Sequence, residues 1–431
     1  IRFMEKPFAL KNFLLTNFSP KQIFLKNTFW LFLAQIVSRV LKFILVVIAA
    51  RILGPQQYGA FNYVLSIIGF FFIFADFGIN TLTIRDYQQE KTDKKYLNAA
   101  LFFKIVLTVG SLIIAFIGLF VFESLEFRKI ALFLILFSFL TQIREYFLSL
   151  NRALQKMENE FKAILIESIF NLILGIGLVV IYQSAVSLSI SYFLAILISV
   201  IFTVIITLKN FKDLKPEYNK EFLKYFLKNG TPLLLFGLLS FVFFSTDQFL
   251  LGYLKGVENV GYWSIITKII SIVELFPSLI MTALFPYLAS QANNLEKSKE
   301  IFKKVISFLI VCAIIISILG VLLSPLIPIL FGKDYSPSVE FFRIFIWIIV
   351  FLFPTTFLDS FLVAHNKIWQ DFYFTIIAAA LNLILNIILI PKLGIWGVVY
   401  SGLIAQFVNF SLTFYLGYKS LKIKNSPQGT I

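Results

Sequence analysis

The chain has 431 residues, of which 59% are hydrophobic and only 14% are charged, and its formal net charge is +15. A soluble protein of this size could not cover its surface with so little charge, so the composition excludes the soluble globular class. One cysteine (Cys312) and one histidine (His365) exclude a disulfide framework and argue against a Cys/His metal site.

Long apolar runs recur from one end of the chain to the other. Runs of about eighteen residues or more are typical of membrane-spanning helices, and the absence of a period-two alternation in runs such as Phe43–Ala50 excludes a transmembrane barrel. The predicted fold class is therefore an all-α polytopic membrane protein with about 12 transmembrane helices. Taken in order, the predicted spans are 27–50, 59–83, 97–122, 130–151, 161–182, 187–208, 230–253, 262–289, 304–331, 339–363, 370–390 and 395–418.

The chain before the first span is basic and rich in Phe and Leu. Residues 1–26 are predicted to form an amphipathic segment lying on the membrane surface, although a disordered basic tail explains the first dozen residues equally well. Residues 27–208 form a predicted N-terminal lobe, 209–221 a cytoplasmic linker with Pro216, 222–419 a C-terminal lobe and 420–431 a tail.

Lysine and arginine concentrate in alternate connections between the spans. One set of segments, which includes both termini, holds 26 of these residues and the other set holds 6. Because basic residues stay on the cytoplasmic side, both termini are predicted to be cytoplasmic and the number of spans to be even.

The beginning of the chain repeats itself. Phe24–Asn27 and Phe226–Asn229 have the same sequence, FLKN, and begin 202 residues apart. The same offset of 202 residues separates Gly256 from Gly54 and Gly261 from Gly59. A second echo pairs the NLIL stretches at Asn171 and Asn382. Six spans per half would make the lobes parallel repeats about an axis along the membrane normal.

Charged residues occur deep inside several predicted spans, where each costs about 2.5–3.5 kcal/mol on insertion scales. Arg39 lies at the predicted midplane, and Lys42, three residues later, shares its helix face. These two cations indicate either a cavity for an anionic substrate or internal neutralisation by Asp76. The candidate substrate-binding cations are Arg39, Lys42, Lys268, Arg144 and Arg343.

Acidic residues accompany these cations. The candidates for ion coupling or gating are Asp76, Asp247, Glu274, Glu167 and Asp359. Glu274 precedes Pro277, which predicts a kink, since proline removes a backbone hydrogen bond. The alternative for these acids, and for Arg144, Lys268 and Arg343 near span ends, is a structural ion pair or a side chain reaching the interface.

The chain combines two six-helix halves, the turn Leu53–Gly59, Asp247 in the seventh span and Gly261–Tyr262 at the start of the eighth. In these features it resembles the polysaccharide exporters, or Wzx-type oligosaccharide flippases, of the MATE-like multidrug/oligosaccharidyl-lipid/polysaccharide (MOP) superfamily. The resemblance implies a non-enzymatic flippase that moves an undecaprenyl-pyrophosphate-linked O-antigen, capsule or exopolysaccharide unit from the inner to the outer leaflet by alternating access. It also implies a bacterial or archaeal cytoplasmic membrane, and no cofactor beyond H⁺ or Na⁺ coupling. The implied partners are the lipid-linked oligosaccharide, membrane lipids and the polymerase of the same pathway, without nucleic acid.

Two other functions compete with this expectation. An ion-coupled MATE-type exporter of small molecules would share the architecture, although its substrates are often cations, which Arg39 and Lys42 would repel. A membrane polymerase or ligase would need active-site groups on a large outer loop, and the predicted outer loops are too short.

Overall fold

The computed structural model of the chain describes residues 20–89, 92–121, 124–292 and 294–421. Every regular element in these ranges is a helix, because a chain without water around its backbone must satisfy each N–H and C=O within the segment. The α-helices are α1 (Pro20–Ile73), α2 (Ile79–Gln88), α3 (Lys94–Gly118), α4 (Leu125–Ala153), α5 (Met157–Tyr182), α6 (Ala185–Leu208), α7 (Lys220–Lys255), α8 (Val257–Val273), α9 (Leu275–Gln291), α10 (Leu295–Leu323), α11 (Leu326–Phe331), α12 (Ser338–Phe345), α13 (Ile349–Ala364), α14 (Ile368–Leu393) and α15 (Ile395–Ser420).

Within the described residues, ten helical segments are long and apolar enough to cross a membrane, so this is a multi-pass membrane protein. The first, Leu25–Ile73, has 49 residues, whereas one crossing needs about 20. Its backbone leaves the helical conformation at Gly54, so α1 consists of two helical parts and is long enough for two crossings. Since α7 has 36 residues and is also long enough, the structure accommodates twelve crossings, and that number stays a prediction.

Polar side chains mark the beginnings of several helices. Asp93, Ser124, Ser184 and Asn294 precede α3, α4, α6 and α10, and each accepts a hydrogen bond from a backbone N–H of the first turn. Such caps satisfy donors that have no partner inside the helix, which fixes where each helix begins.

The second predicted span, 59–83, is not one continuous helix. α1 ends at Ile73, and α2 begins at Ile79 after a turn in which Phe77 and Gly78 have φ values of 46° and 74°. Two consecutive left-handed residues interrupt the ladder of backbone hydrogen bonds. The eighth predicted span is interrupted at Glu274, between α8 and α9, where Pro277 predicted a kink.

The repeated glycines adopt the same backbone conformation. Gly54 has φ 70° and ψ 172°, and Gly256 has φ 87° and ψ 161°. Only glycine adopts this region at little cost, so the sequence repeat is also a repeat of local structure. A superposition of the complete lobes stays a prediction.

The contacts between residues divide the chain into two compact units. The first consists of residues up to Leu53 and of Ala60–Phe241, and the second consists of Gly54–Gly59 and of Val242 onward. Residues 20–26 of the predicted surface segment are the first residues of α1, while residues 1–19 and 422–431 lie outside the described ranges. Within the first unit, the segment predicted as the linker contacts α3, where Asn98 Oδ1 accepts from Lys215 N at 3.0 Å.

Candidate functional site: charged groups within the helices

Three contacts set one face of α1 against α5 in the first unit. Trp30 packs on Phe161 with ring centroids 5.0 Å apart, Ser168 Oγ donates to Ser38 Oγ at 3.2 Å, and Leu45 contacts Gly175. Residue numbers rise together along both helices, so α1 and α5 run parallel. This packing directs the side chain of Lys42, one helical turn after Ser38, toward Glu167.

Glu167 joins two of the predicted cations. Lys42 Nζ lies 3.4 Å from Glu167 Oε1, and Arg144 of α4 donates to Glu167 Oε2. Arg144 Nη2 also lies 3.2 Å from Glu145 Oε1. We call these four residues, together with Arg152 and Glu160, the ion cluster.

The ion cluster extends toward the end of α4. Arg152 Nη2 lies 2.7 Å from Glu160 Oε1 and 3.3 Å from Glu145 Oε2. Three cations therefore face three carboxylates, and the formal charge of the cluster is zero when every group is ionised. Neutralisation within the chain explains how Arg144, Glu160 and Glu167 can be buried, because an uncompensated buried ion is strongly destabilising.

The two cations that contact Glu167 differ in accessibility. Arg144 is 7% exposed and lies between two carboxylates, whereas the Lys42 side chain is 43% exposed and has one carboxylate partner among the described residues. Arg144 is thus enclosed between its two carboxylate partners, whereas the ammonium group of Lys42 is accessible to a second anion. The assignment of both residues as substrate-binding cations stays a prediction. Arg39, next to Ser38 on α1, is half-buried.

Asp76 belongs to a separate group in the first unit. Lys104 of α3, only 2% exposed, donates to Asp76 Oδ1 at 3.0 Å and to Gln142 Oε1 at 2.8 Å. Gln142 donates in turn to the carbonyl of Phe72 at 3.2 Å. These bonds tie the interruption between α1 and α2 to α3 and α4, so Lys104 is the ion partner of Asp76.

Asp247 lies in a polar cluster of the second unit. Asn386 Nδ2 donates to Asp247 Oδ1 at 2.6 Å and to Asn382 Oδ1 at 3.0 Å. Ser401 Oγ donates to Asn386 Oδ1. A carboxylate, two amide oxygens and a hydroxyl thus lie together on α7, α14 and α15, and such oxygen atoms suit a proton or a hard cation.

The remaining predicted residues lie in other parts of the second unit. Arg343 on α12 is exposed, and its Nε donates to Ser324 Oγ at 2.8 Å. Lys268 on α8 and Glu274 at the α8–α9 interruption are half-buried. Asp359 on α13 is half-buried, as is Asp371 in the first turn of α14. Their assignment as substrate or ion-coupling residues stays a prediction.

Asn386 was not predicted from the sequence, although a signal was present. It lies four residues after Asn382, a spacing that places two polar side chains on one helix face. Two asparagines on one face of an apolar helix could have indicated a polar site.

The buried carboxylate of Asp86 on α2 was also missed. It accepts from Tyr225 at 2.6 Å, from Tyr96 at 2.8 Å and from Arg85 Nε at 2.8 Å. Burial alone raises the pKa of Asp86, but the hydrogen bonds from Arg85, Tyr225 and Tyr96 outweigh it, so that its pKa lies below the ordinary aspartate value. Because Tyr225 is on α7, this carboxylate ties the start of α7 to α2 within the first unit.

The sequence matches two protein-family models. Residues 24–292 match the family described as "Polysaccharide biosynthesis protein", and residues 232–388 match the MatE family. A relative, the capsular polysaccharide biosynthesis protein CapF of Staphylococcus aureus, is 24% identical over 412 residues, which cover 92% of this chain and 99% of CapF.

Solved structures of transporters share the fold. The lipid II flippase MurJ in an inward closed conformation has a TM-score of 0.74 at 17% identity, covering 91% of this chain and 89% of MurJ. An inward-facing MATE multidrug resistance transporter of the MOP superfamily has a TM-score of 0.69 at 15% identity, covering 89% and 94%. A MOP superfamily transporter from Pyrococcus furiosus has a TM-score of 0.62 at 15% identity, covering 96% and 98%. At such low identities these likenesses establish the MATE-like fold.

Proposed function

We propose, on the premise that this chain belongs to the family of polysaccharide biosynthesis proteins, that it moves a lipid-linked oligosaccharide from the inner to the outer leaflet of a cytoplasmic membrane by alternating access. The lipid carrier is undecaprenyl pyrophosphate, and the oligosaccharide is a repeat unit of a surface glycan. The coverage of nearly the whole of CapF, a capsular polysaccharide biosynthesis protein, supports a capsule-type glycan.

The observation that carries this proposal is the accessible ammonium group of Lys42. A diphosphate that crosses an apolar layer of about 30 Å loses its hydration, and a nearby cation offsets part of that cost. Lys42 is on a membrane-spanning helix, its side chain is 43% exposed, and its one described carboxylate partner lies at 3.4 Å. Arg39 precedes it by three residues and can add a second positive charge to the same helix face.

We propose further that transport is coupled to the movement of H⁺ or Na⁺ through Asp247. A carboxylate inside a membrane protein is a default candidate for a proton or ion pathway. The polar side chains of Asn382, Asn386 and Ser401 near Asp247 support this role, because oxygen atoms of this kind are the ligands that a small hard cation prefers.

Reconstitution tests the substrate. The purified full chain is placed in liposomes that contain an undecaprenyl-pyrophosphate-linked oligosaccharide with a fluorophore on the sugar, and a membrane-impermeant quencher is added outside. We expect liposomes with the protein to lose their protected fluorescence faster than protein-free liposomes. Equal rates, for a preparation with an intact melting transition, would contradict the proposal.

The match of residues 232–388 to the MatE family supports a second candidate, an ion-coupled exporter of small molecules. The same liposomes, loaded with a cationic dye and given an inward H⁺ or Na⁺ gradient, separate the two functions. Dye efflux without movement of the labelled lipid would favour the exporter, and the opposite result would favour the flippase. A complex with the polymerase of the same pathway is an additional proposal, which co-purification from native membranes would test.

A further inference from the structure

The carboxylate of Glu167 serves two cations at once. Its Oε2 accepts from Arg144, and its Oε1 lies 3.4 Å from Lys42 Nζ. Charge-assisted N–H···O bonds are usually about 2.7–2.9 Å long, so the contact with Lys42 is long for such a pair. Glu167 itself is only 4% exposed, whereas the side chain of Lys42 is 43% exposed.

We propose that Glu167 is a positioning residue that holds Lys42 in place while no lipid is bound and yields it to the diphosphate when the lipid binds. The carboxylate and the diphosphate would then compete for one ammonium group. This inference rests on the proposed function. It adds that Glu167, by competing for Lys42, lowers the affinity of the chain for the lipid.

The charges around Glu167 keep the free-energy cost of such an exchange small. When Lys42 turns to another anion, Glu167 keeps its bond to Arg144, and no buried carboxylate loses its only cation. Arg144 cannot exchange in this way, because its side chain is only 9% exposed and it pairs with two carboxylates at once, those of Glu167 and Glu145. The geometry therefore divides the two predicted cations that contact Glu167 into one that is exchangeable, Lys42, and one that is fixed, Arg144.

Release of the lipid follows from the same arrangement. An ammonium group without a carboxylate nearby would bind a diphosphate more tightly and would also release it more slowly. A competing carboxylate at 3.4 Å gives Lys42 an alternative partner at the moment when the lipid leaves. Tight binding by itself does not speed transport, since a carrier must also release its substrate.

Binding of a soluble probe tests this competition. Farnesyl diphosphate is titrated onto the purified full chain in detergent, with farnesol as the probe that lacks the diphosphate. We expect Lys42→Gln to weaken binding roughly tenfold or more and Glu167→Gln to tighten it roughly threefold to tenfold, the range that one ion pair accounts for. The double variant should bind as weakly as Lys42→Gln, because Glu167 acts only through Lys42.

Two further variants control for structural damage. Glu167→Asp keeps a negative charge for Arg144 but withdraws it from Lys42, so it should also tighten binding of farnesyl diphosphate. This variant can replace Glu167→Gln if Glu167→Gln fails to fold. Glu300→Gln removes the carboxylate of another acid–lysine pair, Glu300–Lys304 in the second unit, and should leave the affinity unchanged.

The outcomes separate the inference from the proposed function. If the wild-type chain binds farnesyl diphosphate no better than farnesol, the proposed function fails and the inference fails with it. If the wild-type chain prefers the diphosphate but the Glu167 variants bind it more weakly, the inference alone is overturned. The same holds if Glu167→Gln changes the affinity equally in the wild-type and in the Lys42→Gln background.

Discussion

Gly59 and Gly261 pack reciprocally against each other's turns, within the second unit. A Cβ atom on Gly59 would lie 1.9 Å from the carbonyl oxygen of Val257, and one on Gly261 would lie 2.0 Å from the carbonyl oxygen of Pro55. Val257 follows Pro55 by 202 residues, as Gly261 follows Gly59, so each partner of this contact is the repeat equivalent of the other. Two equivalent segments that contact each other in this way are related locally by a two-fold axis.

The first prediction concerns this contact. Gly59→Ala and Gly261→Ala should each lower the melting temperature of the purified protein, because backbone must move to admit a Cβ atom, and such overpacking costs about 1–3 kcal/mol. Gly177→Ala is the matched control, since a Cβ atom there meets nothing within 4 Å. Alanine at Gly59 or Gly261 that is as harmless as alanine at Gly177 would contradict the close approach.

The second prediction concerns membrane orientation. In a Cys312→Ser background, a membrane-impermeant thiol reagent added outside the cell should label Gln56→Cys but not Lys94→Cys. Both positions are exposed in the structure, so accessibility to the reagent depends on the side of the membrane. Lys94→Cys should be labelled once the membrane is permeabilised, which controls for reactivity. The reverse pattern would show that the assigned orientation is wrong.

The third prediction concerns the cations of α1. In cells whose surface glycan depends on this protein, Arg39→Gln and Lys42→Gln should leave its abundance in the membrane near normal and reduce the glycan sharply. Glutamine keeps much of the apolar stem and removes only the charge. Arg39→Lys should be milder, because it retains the charge but lacks the bidentate guanidinium group.

The same assay, applied to a double variant, tests the structural alternative for Arg39. If Arg39 served only to neutralise Asp76, Arg39→Gln combined with Asp76→Asn would restore glycan export, because both uncompensated charges are gone. We expect no such restoration, since Asp76 Oδ1 already accepts from Lys104 at 3.0 Å.

The fourth prediction assigns Asp76 to the structure of the first unit. Asp76→Asn should destabilise the protein, because it leaves the buried ammonium group of Lys104 without its carboxylate. Breaking a fully buried pair costs about 3–5 kcal/mol, and the cost here should be smaller because the Asp76 side chain is 33% exposed. Lys104→Gln combined with Asp76→Asn should be more stable than Asp76→Asn alone. Melting temperatures of the three proteins measure this coupling. Asp76→Asn with wild-type stability but impaired transport would instead support an ion-coupling role for Asp76.

The fifth prediction concerns pH and Asp86. Because the pKa of Asp86 is lower in the folded chain than in the unfolded chain, its stabilising contribution is present at neutral pH and is lost as the pH falls through the folded pKa. Asp86→Asn should therefore lower the melting temperature at pH 7, and the difference from the wild type should shrink below about pH 4, the ordinary range of an aspartate. A difference that does not change between these pH values would contradict this account.

The sequence predicted most of the fold, because membrane insertion depends on local composition. Apolar runs predicted the helices, and Pro277 predicted the interruption at Glu274. The turn at Phe77–Gly78 was missed. A phenylalanine in an apolar run gives no local sign of a left-handed conformation, which here is supported by the bonds from Lys104 and Gln142.

The sequence by itself determined that the chain is a helical membrane protein with an internal repeat, and that several charges lie within its helices, since each of these properties follows from residue order. Only the tertiary structure decided which charges neutralise one another. Whether Lys42 faces Glu167 or Asp76 depends on which helices pack side by side, and α1 and α5 are brought together by contacts between residues more than a hundred positions apart, such as Ser38 and Ser168. The burial of Arg144 and the exposure of Lys42 follow from that packing. A cation that the surrounding helices enclose pairs only with groups of the chain, whereas a cation that they leave accessible can also bind a ligand.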